Sequence, residues 1–312
     1  MSAQHHYISK FHLNQFLDPD SLSTSDPWLW QGFVPDGPVR RRAPKNVGTV
    51  AQMFDGPGCL ADRDATLETF LANKVEGPAA AAMKEVSSWP PGSAGNLPPA
   101  LFRYLAWAAA RSLPMQALEE SWGKNLFGRD LEPIEPPPEG LLSATEIRRD
   151  ISMLHHSLGR KIFPAGSDFE RAAREGWFPD MTERTNFLES VHIQAYYFQV
   201  RFFPRLKWFA LHPPQGNFFI IADRPIGWVV HGSVDAPPSA LRHPSAYVLA
   251  PINKSLLFLG RHTSEPWQVT PAEINAVMAR WARTWIVGPT EATVRSALEN
   301  RQPALVPSHL VH

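Results

Sequence analysis

The distribution of apolar and polar positions divides the chain into a helical part and a strand-rich part. Apolar side chains recur at steps of three and four residues over 66–86 and again over 100–111. This spacing predicts amphipathic helices. Further helices are predicted at 8–16, 144–158, 184–203 and 271–287, and Gly77-Pro78 is expected to break or kink the segment that contains it.

Five short apolar runs come late in the chain, at 206–211, 218–221, 226–230, 246–249 and 256–259, each bounded by Pro, Gly, Asn or Asp. Because no crossover helix separates them, they favour an antiparallel sheet. An earlier strand is predicted at 28–33, followed by a turn and a basic loop at 35–45. The predicted fold class is α+β, with a mainly helical N-terminal two-thirds packed on a small antiparallel sheet and a closing C-terminal helix.

The Pro-rich stretch PIEPPPE at 133–139 is the best linker in the sequence, because consecutive prolines hold flanking elements apart. We expect a single domain over 1–290 with a sub-boundary at this stretch, and a C-terminal extension over 291–312.

Composition narrows the class of protein. The 312 residues include a single Cys, 31 Pro, and 30 basic and 30 acidic side chains, for a formal net charge of +0. One cysteine excludes an intramolecular disulfide framework and a Cys-rich zinc site. No signal-peptide-like segment and no run of about 18 apolar residues is found. We expect a cytoplasmic protein without a membrane partner.

The sequence contains no Gly-x-Ser-x-Gly elbow, Walker loop, dinucleotide-binding glycine motif or His-Glu-x-x-His. Candidate chemistry therefore rests on looser groups. His5 and His6 are adjacent imidazoles that can ligate a metal, and on an extended segment they point in opposite directions. The alternative is that they are structural.

Carboxylates supply the second group of candidates. Glu68 and Glu76 are eight positions apart, about 80° on a continuous helix, so both can serve as metal ligands or as a general base. The alternative is a solvated helix surface. Asp223 ends an apolar strand, where it either reaches a site at the sheet edge or caps a turn.

Cations supply the third group. The basic run suits contact with phosphate, and Trp28, Trp30 and Phe33 nearby can stack on bases. Arg111, at a helix end, is either an anion ligand or a partner of the helix dipole. A solvated loop is the alternative for the run, which comprises Arg40, Arg41, Arg42 and Lys45.

Several of these residues carry a resemblance to a known family. The opening QHHYISKFHLNQF (4–16) resembles the His-His-Tyr-Ile-Pro opening of an uncharacterised bacterial and fungal family, domain-of-unknown-function family four-two-three-eight. FIIADRP (219–225) is similar to that family's Phe-Ile-Thr-Ser-Asp-Asn-Pro. RAPKNV (42–47), Leu67-Glu68 with Glu76, and the Arg111 helix end fall in the same order.

The resemblance spans roughly positions 4 to 290, and no activity comes with it. This sequence has Ser9 where the family has Pro, Ala222 for Ser and Arg224 for Asn. The residues that the resemblance selects are those selected on chemical grounds: His5, His6, Glu68, Glu76, Arg111 and Asp223.

Three functions follow from these residues. In the first, a metal-dependent hydrolase acts on phosphodiesters as a nuclease-like effector, with a divalent metal on His5 or His6 and Asp223. Glu68 or Glu76 is then ligand or general base, and Arg111 with the basic run holds nucleic acid or a small anionic substrate. This function predicts a basic face contiguous with the His/carboxylate cluster.

The second function is a non-catalytic protein-interaction module. It predicts that the same polar groups are buried and paired, with tryptophans exposed elsewhere to bind a protein partner. The third is a small-molecule tailoring enzyme, which predicts an enclosed aromatic pocket.

Overall fold

The computed structural model describes residues 4–51, 71–112, 195, 198–234, 241–263 and 269–301. The predicted helix at 144–158, most of the predicted helix at 184–203, and the Pro-rich stretch at 133–139 lie outside the described residues.

The N-terminal segment is built mainly from strands. Strand β1 (Gln4–His6) pairs with β4 (Thr49–Ala51), and β2 (Leu29–Phe33) pairs with β3 (Val39–Arg42). The helix expected at 8–16 is a single turn, α1 (Lys10–Leu13), followed by the 3-10 turn Asn14–Phe16. The prediction of a mainly helical N-terminal two-thirds is therefore wrong.

The basic run explains part of this error. It was expected to be a loop, but its backbone pairs with β2 and forms the edge strand β3, while Arg40 and Arg41 remain exposed. Charged side chains are typical of edge strands, where they oppose pairing with other chains. The charged side chains of this segment therefore predicted a loop, although its backbone forms a strand next to β2.

The two helical patterns between 66 and 111 are confirmed where the structure describes them. A π-helical stretch (Leu71–Glu76) leads directly into α2 (Gly77–Val86), and α3 (Pro99–Ala110) packs against α2. Gly77-Pro78 does not separate two helices. The segment changes there from π-helical to α-helical hydrogen bonding, and Pro78 lies in the first turn, where its missing N–H costs little.

The late apolar runs form antiparallel strands, as expected, but these divide between two sheets. One sheet has the order β5-β6-β10-β9-β8. Its strands are β5 (Ala94–Gly95), β6 (Lys207–Leu211), β8 (Gly227–Val229), β9 (Tyr247–Asn253) and β10 (Leu256–Arg261).

The other sheet has the order β3-β2-β11-β7, with β7 at Ile221–Ala222 and β11 at Trp285–Gly288. Strand β11 pairs with both β2 and β7, so the last sheet strand in sequence joins the N-terminal hairpin to the C-terminal part. One small sheet was expected. The structure has these two sheets and the β1–β4 pair among its described residues.

The predicted C-terminal helix is too long. Helix α4 (Pro271–Trp281) begins with a Thr270–Glu273 capping box and ends at Ala282, which is extended. The residues after it belong to β11, because their apolar side chains fill a central strand. Helix α5 (Glu291–Glu299) then covers this sheet, so the chain does not close on α4. A Cβ on Gly32 of β2 would lie 2.7 Å from Val294 of α5, so the two elements pack closely.

The core is rich in aromatic rings. Trp228 packs on Trp281 with ring centroids 4.5 Å apart and on Phe198 at 5.5 Å, and Phe203 packs on Trp208 at 5.4 Å. These contacts join the five-stranded sheet to α4 and to the π-helical stretch Phe198–Phe202.

Candidate functional site

The residues that end β1 and begin α1 meet the ends of the π-helical stretch and of α3 in a buried polar cluster. Its members are His6, Ser9, His12, Glu76, Tyr104 and Arg111. We call this set the polar centre. Positions 67 to 102 residues apart in sequence are joined here by side-chain hydrogen bonds.

An ion pair forms the middle of the polar centre. Arg111 Nη1 lies 2.8 Å from Glu76 Oε1, and the Arg111 side chain is 2% exposed. The Ser9 hydroxyl donates to the same carboxylate oxygen at 2.6 Å and accepts from Arg111 Nη2. Burial alone would raise the pKa of Glu76, but the guanidinium and the two hydrogen bonds lower it, so Glu76 is a carboxylate at neutral pH.

A directional chain of hydrogen bonds continues from this pair. Burial lowers the pKa of His12 to about 4, so its imidazole is neutral at pH 7. His12 Nε2 lies 2.8 Å from the Pro251 carbonyl oxygen and must donate, because a carbonyl only accepts. His12 Nδ1 is then an acceptor and receives the Tyr104 hydroxyl proton at 3.0 Å.

His6 lies at the half-buried side of the polar centre. Burial is the main cause that lowers its pKa, a hydrogen bond to the Val47 backbone opposes this, and both Arg111 and Glu76 act on it electrostatically. Its Nδ1 is buried and has no hydrogen-bond partner within the described part of the chain. An unpaired buried acceptor next to an ion pair is the kind of group that a ligand satisfies.

Asp223 is held elsewhere, at the start of β11. Its carboxylate accepts from the backbone N–H groups of Arg283 (3.0 Å) and Thr284 (2.7 Å) and from the Thr284 hydroxyl. Burial raises its pKa although these bonds and Arg224 oppose the rise. The groups that shift the pKa values of His6 and Glu76 do not include Asp223. These partners lie 60 and 61 positions away in the sequence, so Asp223 ties its strand end to the segment before β11 and does not cap its own turn.

The basic hairpin β2–β3 presents arginines stacked on aromatic rings. The Arg41 guanidinium carbon lies 4.7 Å from the Trp28 ring centroid and 5.1 Å from that of Trp30, and that of Arg40 lies 4.9 Å from the Phe33 centroid. Both arginines are exposed. The two indole N–H groups donate to the buried carboxylate of Asp18, at 3.2 and 2.7 Å, which fixes the rings beneath Arg41.

The hairpin leads directly to the polar centre. After Arg42 the chain forms the 3-10 turn Pro44–Asn46, which contacts α1, and then reaches Val47, the backbone partner of His6. Lys45 in this turn is exposed and lies 3.8 Å from Asp26. The cationic hairpin and the polar centre are therefore connected through a short segment of chain, 43–47.

No protein family, curated protein or solved structure matches this chain. The resemblance to the uncharacterised family therefore stays a prediction.

A metal centre receives limited support from the polar centre. Among the described residues no group of three or more His, Cys, Asp or Glu side chains is placed to hold a metal ion. His6 and Glu76 are two donors, and Glu76 is already paired with Arg111. The side chain of His5, and the whole of Glu68, lie outside what the structure describes.

Sequence reasoning singled out three members of the polar centre, His6, Glu76 and Arg111. It also singled out Asp223, which acts electrostatically on Tyr7, the residue after His6. It missed Ser9, His12 and Tyr104. Tyr104 could have been found from Arg111, because it lies seven positions earlier, about two helical turns, and therefore on the same face of the helix. Ser9 and His12 carried no such signal.

Two further features bear on the interaction module and on the small-molecule enzyme. The interaction module predicts exposed tryptophans, but the described tryptophans are buried or half-buried. The small-molecule enzyme predicts an aromatic pocket, whereas a described groove of about 290 Å³ is polar, being lined by residues that include Gln15, Ser87, His212, Asn253 and Lys254.

Within the described ranges, no helix has the length and apolarity needed to cross a membrane.

Proposed function

We propose that the protein binds single-stranded nucleic acid along the basic hairpin and hydrolyses its phosphodiester bonds at the polar centre. The observation that carries the proposal is the continuity between the two. Exposed Arg40 and Arg41 lie on the hairpin whose chain continues through Pro44–Asn46 to Val47, the backbone partner of His6.

The hairpin offers the two kinds of contact that single strands require. Guanidinium groups attract phosphates, and the half-buried rings of Trp28, Trp30 and Phe33 provide surfaces on which bases stack. The guanidinium carbons of Arg40 and Arg41 lie 4.9 and 4.7 Å from the ring centroids of Phe33 and Trp28, so phosphate contacts and stacking surfaces are adjacent on this hairpin.

A cytoplasmic location is part of this proposal.

In the polar centre, neutral His6 is the general base of the proposal. Its lowered pKa keeps the imidazole unprotonated at neutral pH, and its hydrogen bond to the Val47 backbone assigns the proton to the nitrogen other than Nδ1. Nδ1 therefore carries the lone pair that accepts a proton from the attacking hydroxyl or water. As that oxygen bonds to phosphorus, the P–O bond on the opposite side breaks, and the leaving oxygen takes a proton from water. Glu76, fixed by Arg111 and Ser9, stabilises the imidazolium that results.

We assign no step to a metal, because His6 and Glu76 are the two metal donors among the described residues of the polar centre. Bound divalent metal remains part of the hydrolase hypothesis only if groups outside the described residues complete the site, and Asp223 is not proposed as a ligand.

Binding is tested by fluorescence anisotropy with labelled single-stranded RNA and DNA of about 20 nucleotides at two salt concentrations. The double variant Arg40→Ala/Arg41→Ala is compared with Arg295→Ala, which removes an exposed arginine that pairs with Glu291 on α5. We expect at least about tenfold weaker binding and a salt slope lower by about 1.4 for the double variant only, since each phosphate contact on a single strand contributes about 0.7 to the slope. Equal affinities for all three proteins would overturn the binding proposal.

Hydrolysis is tested separately on the same oligonucleotides, in EDTA and with added Mn²⁺, for the wild type, His6→Ala and Glu76→Gln. We expect cleavage that falls by at least about a hundredfold in His6→Ala. Binding without cleavage in either buffer would leave a nucleic-acid-binding protein and refute the hydrolase. The buried, paired state of Ser9, Glu76 and Arg111 also favours a second candidate, the non-catalytic module, and that result would support it.

A further inference from the structure

A second group of imidazoles lies away from the polar centre, between the end of β8 and the start of β9. His231 and His243 face each other with ring centroids 3.9 Å apart and their Nε2 atoms 3.1 Å apart. The Ser245 hydroxyl lies 2.8 Å from His243 Nδ1 and 3.3 Å from His231 Nδ1. We call these three residues the histidine pair and its serine.

The backbone is shaped to bring the pair together. Val230 and Ser233 exchange two backbone hydrogen bonds, at 3.0 and 2.9 Å, around a two-residue turn of His231 and Gly232. Both turn residues have positive φ, 49° and 75°, as a type I′ turn requires. Histidine, like Asn and Asp, adopts positive φ more often than other residues with a side chain, so His231 fits the first position of this turn.

Ser245 determines which nitrogen of His243 is left to face the other ring. The Ser245 backbone N–H donates to His243 Nδ1 at 3.1 Å, so this nitrogen is an acceptor. The Nε2 atom of His243 is the nitrogen that faces His231.

Imidazole nitrogens are the commonest metal ligands in proteins, and two of them lie 3.1 Å apart here. We propose that His231 Nε2 and His243 Nε2 form a bidentate surface site for a divalent transition metal of the zinc class. Water completes the coordination.

The geometry fits this ion. With Zn–N bonds of about 2.0–2.1 Å, two nitrogens 3.1 Å apart subtend an angle of about 100° at the metal, close to the tetrahedral value. The Nδ1 atoms of both rings are contacted by Ser245, and such a partner on the opposite nitrogen is the usual means of orienting a metal-ligating histidine.

The site is tested by titrating Zn²⁺ into the full chain without a histidine tag, at about pH 7.5, by isothermal calorimetry. His231→Asn keeps a residue that tolerates positive φ, and His243→Ala removes the other ligand. His212→Ala is the control, because it removes a half-buried imidazole at another place. Circular dichroism verifies that each variant is folded.

We expect one zinc ion per chain with a dissociation constant in the range of about 1–100 μM, weakened at least tenfold in both His231→Asn and His243→Ala and unchanged in His212→Ala. Cu²⁺ bound to the wild type should show coupling to two nitrogen nuclei in its electron paramagnetic resonance spectrum, and to fewer in either variant. This second readout remains decisive if one of the two variants fails to fold.

No zinc binding by the wild type, or binding that is unchanged in both variants, would overturn the proposal. The second result would direct attention to metal at the polar centre, where the His6→Ala variant would abolish it. The histidine pair is independent of the proposed hydrolase, and either can fail alone.

Discussion

The buried ion pair between Arg111 and Glu76 yields the sharpest prediction, because its two side chains can be removed singly or together. We consider Arg111→Met, which keeps the length of the side chain, and Glu76→Gln, which keeps the shape. Arg111 is 2% exposed and the Glu76 side chain is 24% exposed, so solvent screens the 2.8 Å pair weakly.

Arg111→Met leaves a buried carboxylate with the Ser9 hydroxyl as its remaining donor in the polar centre. Breaking a buried pair in this way costs about 3–5 kcal/mol, and we expect about 3 kcal/mol here, since Glu76 retains some solvent contact. Adding Glu76→Gln to that variant removes the unpaired charge. Glu76→Gln should therefore destabilise the wild type but be neutral or stabilising in Arg111→Met.

The assay is urea-induced unfolding of the four proteins at pH 7, followed by tryptophan fluorescence. If Glu76→Gln costs the same in both backgrounds within about 0.5 kcal/mol, the two residues are independent and the reasoning is refuted.

The unfolding free energies of the wild type and of Arg111→Met should depend on pH in opposite directions. In the wild type the lowered pKa of Glu76 contributes stability above its ordinary value near 4.5, which is lost as the pH falls through the folded-state value. In Arg111→Met burial dominates and raises that pKa, so stability is lost as the pH rises above about 4.5. The difference in unfolding free energy between the two proteins should shrink from pH 7 to pH 4.

Three further changes test other parts of the structure. In thermal unfolding, Gly32→Ala should lower the unfolding free energy by about 1–3 kcal/mol, because the new Cβ would lie 2.7 Å from a side chain of α5. Gly95→Ala is the control and should be close to neutral, because its nearest side-chain neighbour would be 4.0 Å from the new Cβ. Tyr104→Phe should cost about 1–3 kcal/mol in urea unfolding, because His12 Nδ1 loses its buried donor, and an unchanged midpoint would contradict the chain of hydrogen bonds. Because the pKa of Asp223 is raised in the folded state, the wild type should lose stability as the pH rises from about 4. Asp223→Asn should not show this loss, and identical pH profiles of unfolding free energy for the two proteins would exclude this role.

Periodicity predicted the elements in which local pattern and tertiary context agree. Helix α3 was found almost to the residue, because Pro99 at its start and a continuous apolar stripe point to one answer. The late strands were also found, since each is short, apolar and bounded by turn residues.

The errors arose where tertiary pairing overrode the local pattern. Trp285–Gly288 looks like the end of a helix, but two neighbouring strands complete it as β11. The arginines of β3 look like a loop, because a strand at a sheet edge needs no apolar side chains when its neighbour supplies them. The sequence of a single strand does not indicate which of the two sheets the strand joins.

The polar centre was only partly predictable for a related reason. Residue type identified His6, Glu76 and Arg111 as chemically notable, but hydrogen-bond partners depend on which elements meet. Ser9 is the N-cap residue of α1, yet its hydroxyl bonds Glu76 rather than the helix backbone. His231 and His243, twelve positions apart, gave no pattern because a turn and not a helix or strand brings them together.

The position of β11 between β2 and β7 has a consequence for biosynthesis. The register pairs Phe33 with Trp285, so about 250 residues must be added to the growing chain after β2 before its central partner exists, which takes about 13–50 s at ordinary translation rates. The apolar inner face of the β2–β3 hairpin is without its neighbour during that time. Such long-range pairing slows folding and exposes the nascent chain to aggregation, so the yield of the protein should depend on chaperones that shield its first fifty residues until the end of the sheet is made.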